Sequence, residues 1–478
     1  MAVSCLTKPL SLKPFPQFSG WIKALGPGII WMALAQGSGE LIWWPYIVAK
    51  YGLGFLFLLI PACLLQFPLN YEIGRYTVLT GETIWQGFIR LNRFFAFFLW
   101  LLMLLSFLWF GGFASAGGTA LAALTHFPSS FSPRGQSLFW GLCTMILFFS
   151  ALTFSKVVYN IVEKFMTLVA FITLLGLTFS ISHPQVLQKI PEFSSALFIP
   201  EWPVDRIWET KDATKLLTAI TFAGLGGFWT LFYSYWLREK GTGMSRYFGR
   251  ITSPITGKLE VIPETGFIPE DTLENRRNIK QWLSFLFVDC GIGVVGNLIT
   301  TLFTCLLAYA LLFPENILPK EWEIAVVQAK FFEISWGSFG RILFLMISAA
   351  FLSDTWLATA DAVSRVNTDI VYGLFPRARI RTPRFWYYSF LVIATAITSI
   401  TIFLNQPGAL IITSAVIGFV GTVIFSAAVL ILNHFYLPKV CFFLKPKKIV
   451  SYSMLFSVAA YFILMALFIA FQIEFYDI

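Results

Sequence analysis

Apolar runs of about 20 residues recur along this chain, and each matches the length a helix needs to cross a hydrocarbon core. About eleven can be placed between Gly/Pro and charge clusters, at residues 26–50, 53–77, 94–124, 137–153, 156–182, 214–238, 281–313, 341–372, 386–404, 408–434 and 451–473. Backbone polar groups find no water inside a bilayer, so runs of this kind have to be helical. Only 12% of the 478 residues are charged, about half the share of a soluble domain. The expectation is an all-α polytopic membrane protein. Soluble enzymes, nucleic-acid modules and secreted domains are excluded, and no nucleophile, nucleotide or metal-ligand motif points to an enzyme. The partners implied are the lipid bilayer and a small ion or small-molecule substrate, with no nucleic acid and no cofactor other than a transported cation.

The net charge of +9 reads as topology. With the N-terminus inside, about 24 of the 34 Lys and Arg fall on the cytoplasmic side and about 9 on the other, leaving Arg365 within a helix, the bias of a multi-pass plasma-membrane protein. Residues 1–25 lack an apolar stretch of signal-peptide length and read as a short cytoplasmic tail. The basic blocks Lys240, Arg246, Arg250, Lys258, Arg276, Arg277, Lys280 and Arg377, Arg379, Arg381, Arg384 read as solvated inner loops. Residues 321–334, apolar at helical spacing beside charges, predict an external interfacial helix. Cys63, Cys143, Cys290 and Cys305 fall in apolar runs and read as packing residues.

The first span holds Gln36, Gly37, Ser38, Gly39 and Glu40 at its middle. Glycine is poor in a helix interior and a carboxylate at mid-membrane is costly, so this stretch is expected to unwind beside a polar cavity. The sixth span repeats the feature with Ala223, Gly224, Leu225, Gly226 and Gly227. Five spans precede the second break and five begin with it, and an odd number of helices inverts one copy relative to the other. That is the 5+5 inverted repeat of secondary transporters, whose broken first and sixth helices offer free carbonyls and half-helix N-termini to substrate at the midplane. The division is a tail (1–25), a first five-helix repeat (26–182), an external loop (183–213), a second repeat (214–434, with a cytoplasmic loop at 239–280), and a basic loop with an extra helix (435–478). The GGFASAGG stretch at 111–118 reads as close helix packing.

GPG at 26–28, the broken first span, QFPLNYEIGRYTVLTGET at 66–83 and the 5+5 arrangement resemble the Nramp family of proton-coupled divalent metal transporters over roughly residues 20–434. The resemblance implies the inverted-repeat fold named after the leucine transporter. Family members that carry transition metals have DPGN in the first break, and aligned from GPG those positions are Gly37, Ser38, Gly39 and Glu40. The family's MPHN in the sixth span falls on Gly226, Gly227, Phe228 and Trp229, so the thioether and the histidine are both absent. Oxygen donors suit Mg²⁺, Ca²⁺ or Mn²⁺, so the expected cargo is a hard divalent cation such as Mg²⁺ or Mn²⁺, with Glu40 as the metal ligand and protons or Na⁺ as candidate coupling ions.

Other acids lie in the spans. Asp289 and Asp354 lack an obvious local partner and are candidate coupling-ion or proton sites. Asp354, Asp361, Arg365 and Asp369 follow one another by seven, four and four residues, one stripe on a helix. Asp361 with Arg365, Glu72 with Arg75, and Glu163 beside Lys164 read as ion pairs gating an inner vestibule. His126, His183 and His434 all lie at span ends or in loops, away from any intramembrane relay. Two alternatives share the architecture: a transporter of amino acids or other zwitterions, whose carboxylate the GSG amides would hold, and a membrane sensor that does not transport.

Overall fold

A computed structural model describes residues 9–200, 208–209, 212–318 and 324–476, without the side chains of 38–40, 324–325 and 471–476. The first span consists of α1 (Pro27–Ala35), a π-helical segment (Gln36–Trp43) and α2 (Trp44–Tyr51). Then come α3 (Leu59–Thr80) and the short α4 (Ile84–Leu91). Next are α5 (Arg93–Phe107) and α6 (Gly111–Thr125), two halves of one bent span, followed by α7 (Pro133–Phe154) and α8 (Val158–Ile181). The second half begins with α9 (Ala213–Thr221) and α10 (Tyr233–Lys240), separated by a break and a 3₁₀ turn at Gly227–Phe232. It continues through α11 (Leu273–Leu311), α12 (Lys330–Leu374), α13 (Pro383–Thr401), α14 (Pro407–Ile431) and α15 (Lys448–Tyr476). Eight of the described helical segments are long and apolar enough to cross a membrane individually. The two interrupted spans and α13 bring the total to the expected eleven.

Local signals set several of these starts. Pro133, Pro383 and Pro407 occupy first-turn positions, where a missing N–H costs nothing, and the Ser132 and Thr382 hydroxyls accept from Gly135 and Phe385 amides at 3.2 and 3.3 Å. Thr83 and Gln86 form a reciprocal capping box that starts α4, an amphipathic helix too short to register as a span. Depth in the bundle follows side-chain character. In the most apolar window of α12, 78% of residues are buried, against 22% in that of α15. α12, with its small and polar residues, is therefore the central post, and α15, uniformly apolar, faces lipid beside α3 and α14. The glycines at 111–118 serve packing: a Cβ at Gly117 would strike Ser353 on α12, and one at Gly118 would strike Ser137 on α7.

Three expectations change. Residues 319–323 lie outside the description, but the remainder of the stretch read as an interfacial helix is drawn inward: Phe331 and Phe332 are fully buried, because Gly337 takes a φ of 56° and folds the first turns of α12 back against Phe344. The large basic loop is folded rather than merely solvated. Its Phe267–Ile268 strand pairs in parallel with Ser11–Leu12 of the tail, and Gly266 donates its amide to buried Glu82 at 2.7 Å. The tail itself is anchored, with the Phe15 amide on Asn275 at 2.9 Å and the Trp282 indole on the Pro16 carbonyl at 3.0 Å. Finally, Glu163 pairs with Lys240 at 2.6 Å and not with Lys164, since adjacent helical residues point about 100° apart.

Candidate functional site

At the first break α-helical hydrogen bonding gives way at Gln36 to a wide π turn, so the chain loosens without unwinding. Such turns leave carbonyls out of register with their usual donors and recur at functional sites. Gly37 lies against α12: a Cβ there would strike the Thr355 hydroxyl and sit 2.7 Å from the Phe351 carbonyl. Gln36 is buried and donates through Nε2 to Thr300 Oγ1 of α11 at 2.6 Å. The side-chain positions expected of Ser38 and Glu40, together with Gly39, lie outside the described residues.

The second break is a true interruption. After Thr221 the chain leaves the helix, and Gly226 and Gly227 take φ values of 65° and 51°, a region open to glycine at little cost. Gly224 abuts Gln66 of α3, whose Nε2 reaches the Thr221 carbonyl at 3.4 Å. Gly227 meets Gly418 of α14 almost backbone to backbone. Ala223, Leu225 and Trp229 are all buried.

Both breaks converge on the middle of α12. Thr355 faces Gly37, and Thr359, one turn along, accepts from the Trp229 indole at 2.8 Å. Asp354, the residue before Thr355 on α12, is fully buried, and neither of its oxygens has a hydrogen-bond partner among the described residues. Gln36 Oε1, Gln66 Oε1 and Asn297 Oδ1 are likewise buried without partners there. Unpartnered buried polar atoms are costly in a protein interior, and Gln36 and Gln66 place two of them directly at the interruptions. The oxygens offered belong to amides, hydroxyls, carbonyls and one carboxylate. Among the described residues no three His, Cys, Asp or Glu side chains cluster as a ready metal site.

Asp289 is elsewhere. Its Oδ2 accepts from Tyr233 of α10 at 2.8 Å, and the carboxylate faces the backbone amides of Gly26 and Gly28 at the N-terminus of α1, where the helix dipole favours an anion. Thr300, which meets Gln36, is eleven residues further along α11, about 16 Å away. The two acids with no sequence-local partner therefore occupy separate places, Asp354 next to Thr355 along α12 and Asp289 toward the tail end.

The tail end of the bundle is held by ion pairs that α10 makes with its neighbours. Arg365 binds Asp361 at 2.9 Å and Glu239 at 2.5 Å, and Tyr387 donates to Asp361 at 2.6 Å. Arg238 binds Asp369 at 3.1 Å, to which Thr83 also donates at 2.8 Å. Glu72 pairs with Arg75 at 3.4 Å, and its Oε2 lies within hydrogen-bond distance of His434 Nε2 at 3.2 Å, so His434, in a π turn after α14, meets a buried acid that sequence spacing does not connect to it. Glu82, held by both Arg90 and Tyr76 at 2.6 and 2.7 Å, also escapes sequence reading, although the GET triplet at 81–83 carries it.

At the opposite end, Asp212 at the start of α9 is fully buried and binds Lys50 and Tyr51 of α2 at 2.6 and 2.8 Å and Lys215 at 2.8 Å. Burial works to raise the Asp212 carboxyl, but hydrogen bonds from Lys215, Lys50 and Tyr51 outweigh it and hold the group below the usual carboxylate range. Charged residues at the ends of the first and sixth spans away from the tail, Lys50 and Asp212, are the sequence signal for this cluster.

No family model matches the sequence, and no curated protein matches it either. The fold is nonetheless that of the leucine-transporter-type inverted repeat, with eleven spans, a first helix distorted by a π turn and an interrupted sixth. Among solved structures, two mutants of the manganese transporter of Eremococcus coleocola each superpose with a TM-score of 0.64 at 14% identity, covering 97% of this chain and 90% of that one. The same transporter bound to an aromatic bis-isothiourea compound gives 0.62 at 15% identity over the same shares.

Proposed function

We propose that this protein is a secondary active transporter that moves a cation, a hard divalent ion such as Mn²⁺ or Mg²⁺, by alternating access around the two interruptions. The observation that carries the reading is their convergence on α12 at Thr355 and Thr359, in a fold shared with a manganese transporter. The cargo would be held by Gln36, the Gly37–Glu40 turn and the backbone at Ala223, Gly224, Gly226 and Gly227, with Glu40 as its charged ligand. An all-oxygen donor set supports a hard ion over a soft one. Asp354 and Asp289 are the candidate groups for a coupling proton or Na⁺. With the positive-inside bias, the tail end is the cytoplasmic face of the plasma membrane.

In this reading the Arg365–Asp361–Glu239 and Arg238–Asp369 contacts close the inner side, and the Asp212 cluster closes the outer. Among the described break residues, Gln36, Gly37 and residues 223–227 are buried, as a closed intermediate requires. The test is uptake into proteoliposomes of the purified chain. Saturable Mn²⁺ or Mg²⁺ uptake that depends on an imposed proton or Na⁺ gradient supports the proposal, and absence of uptake for every divalent ion tried would overturn it.

A further inference from the structure

Where α3, α11 and the segment linking α14 to α15 meet at the tail end of the bundle, a groove of about 510 Å³ opens. It lies apart from both interruptions. Five basic side chains line it, Arg75, Arg276, Lys280, Lys445 and Lys447, and no acidic one does. Two of these are occupied: Arg75 by Glu72 and the Leu444 carbonyl, and Arg276 by Asp271 at 2.6 Å. Lys280, Lys445 and Lys447 are exposed, with no acidic partner among the described residues.

Beyond this basic rim the groove is apolar. Phe67 and Tyr71 of α3 face Phe287 of α11, with the Phe67 and Phe287 rings 5.0 Å apart, and Leu283 continues the wall. Phe67 is eight residues from Arg75, and Phe287 is seven from Lys280. At 1.5 Å per residue these spacings put aromatic surface about 10–12 Å deeper in the membrane than the charges. Positive charge at headgroup depth above an apolar channel at acyl-chain depth is the complement of an anionic phospholipid. A positive-inside bias explains why lysines lie on this face. It does not explain why three of them line the rim of an apolar groove that contains no acid.

We propose that this groove is a binding site for an anionic phospholipid, its phosphate held by Lys280, Lys445 and Lys447 and an acyl chain lying along Phe67, Leu283 and Phe287. The bound lipid would join the added helix α15 to α3 and α11. This site does not depend on the cargo proposed above.

The test uses the full chain purified in neutral detergent, with dioleoylphosphatidylglycerol, dioleoylphosphatidylcholine or inorganic phosphate added. Native mass spectrometry counts retained lipid, and the thermal midpoint reports stabilisation. Phosphatidylglycerol should be retained and should raise the midpoint, while the other two should not. The triple substitution Lys280→Gln, Lys445→Gln, Lys447→Gln should weaken phosphatidylglycerol retention by about ten-fold or more, given what each surface lysine adds toward anionic lipid. Leu283→Trp, which fills the channel and leaves every charge in place, should also displace the lipid. Equal retention of both lipids, stabilisation by inorganic phosphate alone, or undiminished phosphatidylglycerol binding in the triple variant would each overturn the proposal.

Discussion

Glu40 and Gly37, three residues apart, carry different predictions. Glu40 is the only acid in the two interruptions, and glutamine keeps its size while removing the charge that would attract a cation. Glu40→Gln is expected to abolish cation uptake in proteoliposomes while leaving the thermal midpoint nearly unchanged. A carboxylate that merely caps a half-helix would cost a fraction of a kcal/mol to about 1 kcal/mol of stability and spare uptake. Gly37 is a packing constraint, because α12 leaves no room for a Cβ between Thr355 and the Phe351 carbonyl. Gly37→Ala should therefore lower stability by about 1–3 kcal/mol, as overpacking does, with a matching drop in unfolding temperature. The sequence reads Gly37 as a place where a helix weakens, and the fold adds that another helix comes against it there.

At the scale of elements, α10 and α12 hold the tail end together. Removing one member of a buried ion pair strands the other, at a cost of about 3–5 kcal/mol. Arg365→Leu should thus destabilise the protein by that order in thermal unfolding, since it strands Asp361 and Glu239 at once. Asp369→Asn touches a pair nearer the surface, with 11% of the side chain exposed. It strands Arg238, 5% exposed, so it should lower the unfolding temperature, though by less than Arg365→Leu, and raise the labelling rate of a cysteine placed at Thr368. The Asp212 cluster makes a pH prediction. Asp212 is held below its ordinary pKa of 3.8, so its pairing stabilises the folded state at neutral pH and down to about pH 4. That contribution falls away as pH drops from the ordinary value through the lowered one. A plot of unfolding temperature against pH should show this acid-side loss in the natural protein and a weaker one in Asp212→Asn. The ion pair within α12 was legible, because Asp361 and Arg365 are four residues apart on one helix. The partners Glu239, Asp369 and Asp212 find across the bundle were not, because nothing local links them.

For the whole molecule, the prediction concerns selectivity. The stretch aligned with MPHN reads Gly226, Gly227, Phe228 and Trp229, which contributes no sulfur, and soft ions gain most from sulfur. Cd²⁺ should therefore compete with Mn²⁺ uptake no better than Mn²⁺ competes with itself. Tight, selective inhibition by Cd²⁺ in proteoliposomes would mean that another part of the chain supplies the ligand.

The eleven spans, their all-α character, the two interruptions and their 5+5 placement were determined by sequence alone, because bilayer thickness, backbone hydrogen bonding and glycine's helix penalty act locally and leave a pattern in order along the chain. Tertiary structure decided the rest. It kept the first span helical through a π turn, where the sequence leads one to expect unwinding, and laid α12 against Gly37. It buried Asp354 without a partner among the described residues and set Asp289 at the start of α1. It also brought His434 to Glu72 and Lys50 to Asp212, contacts separated by 362 and 162 residues. Such pairings depend on how helices pack, and packing is settled by volume and shape between elements, which no periodicity within one element records.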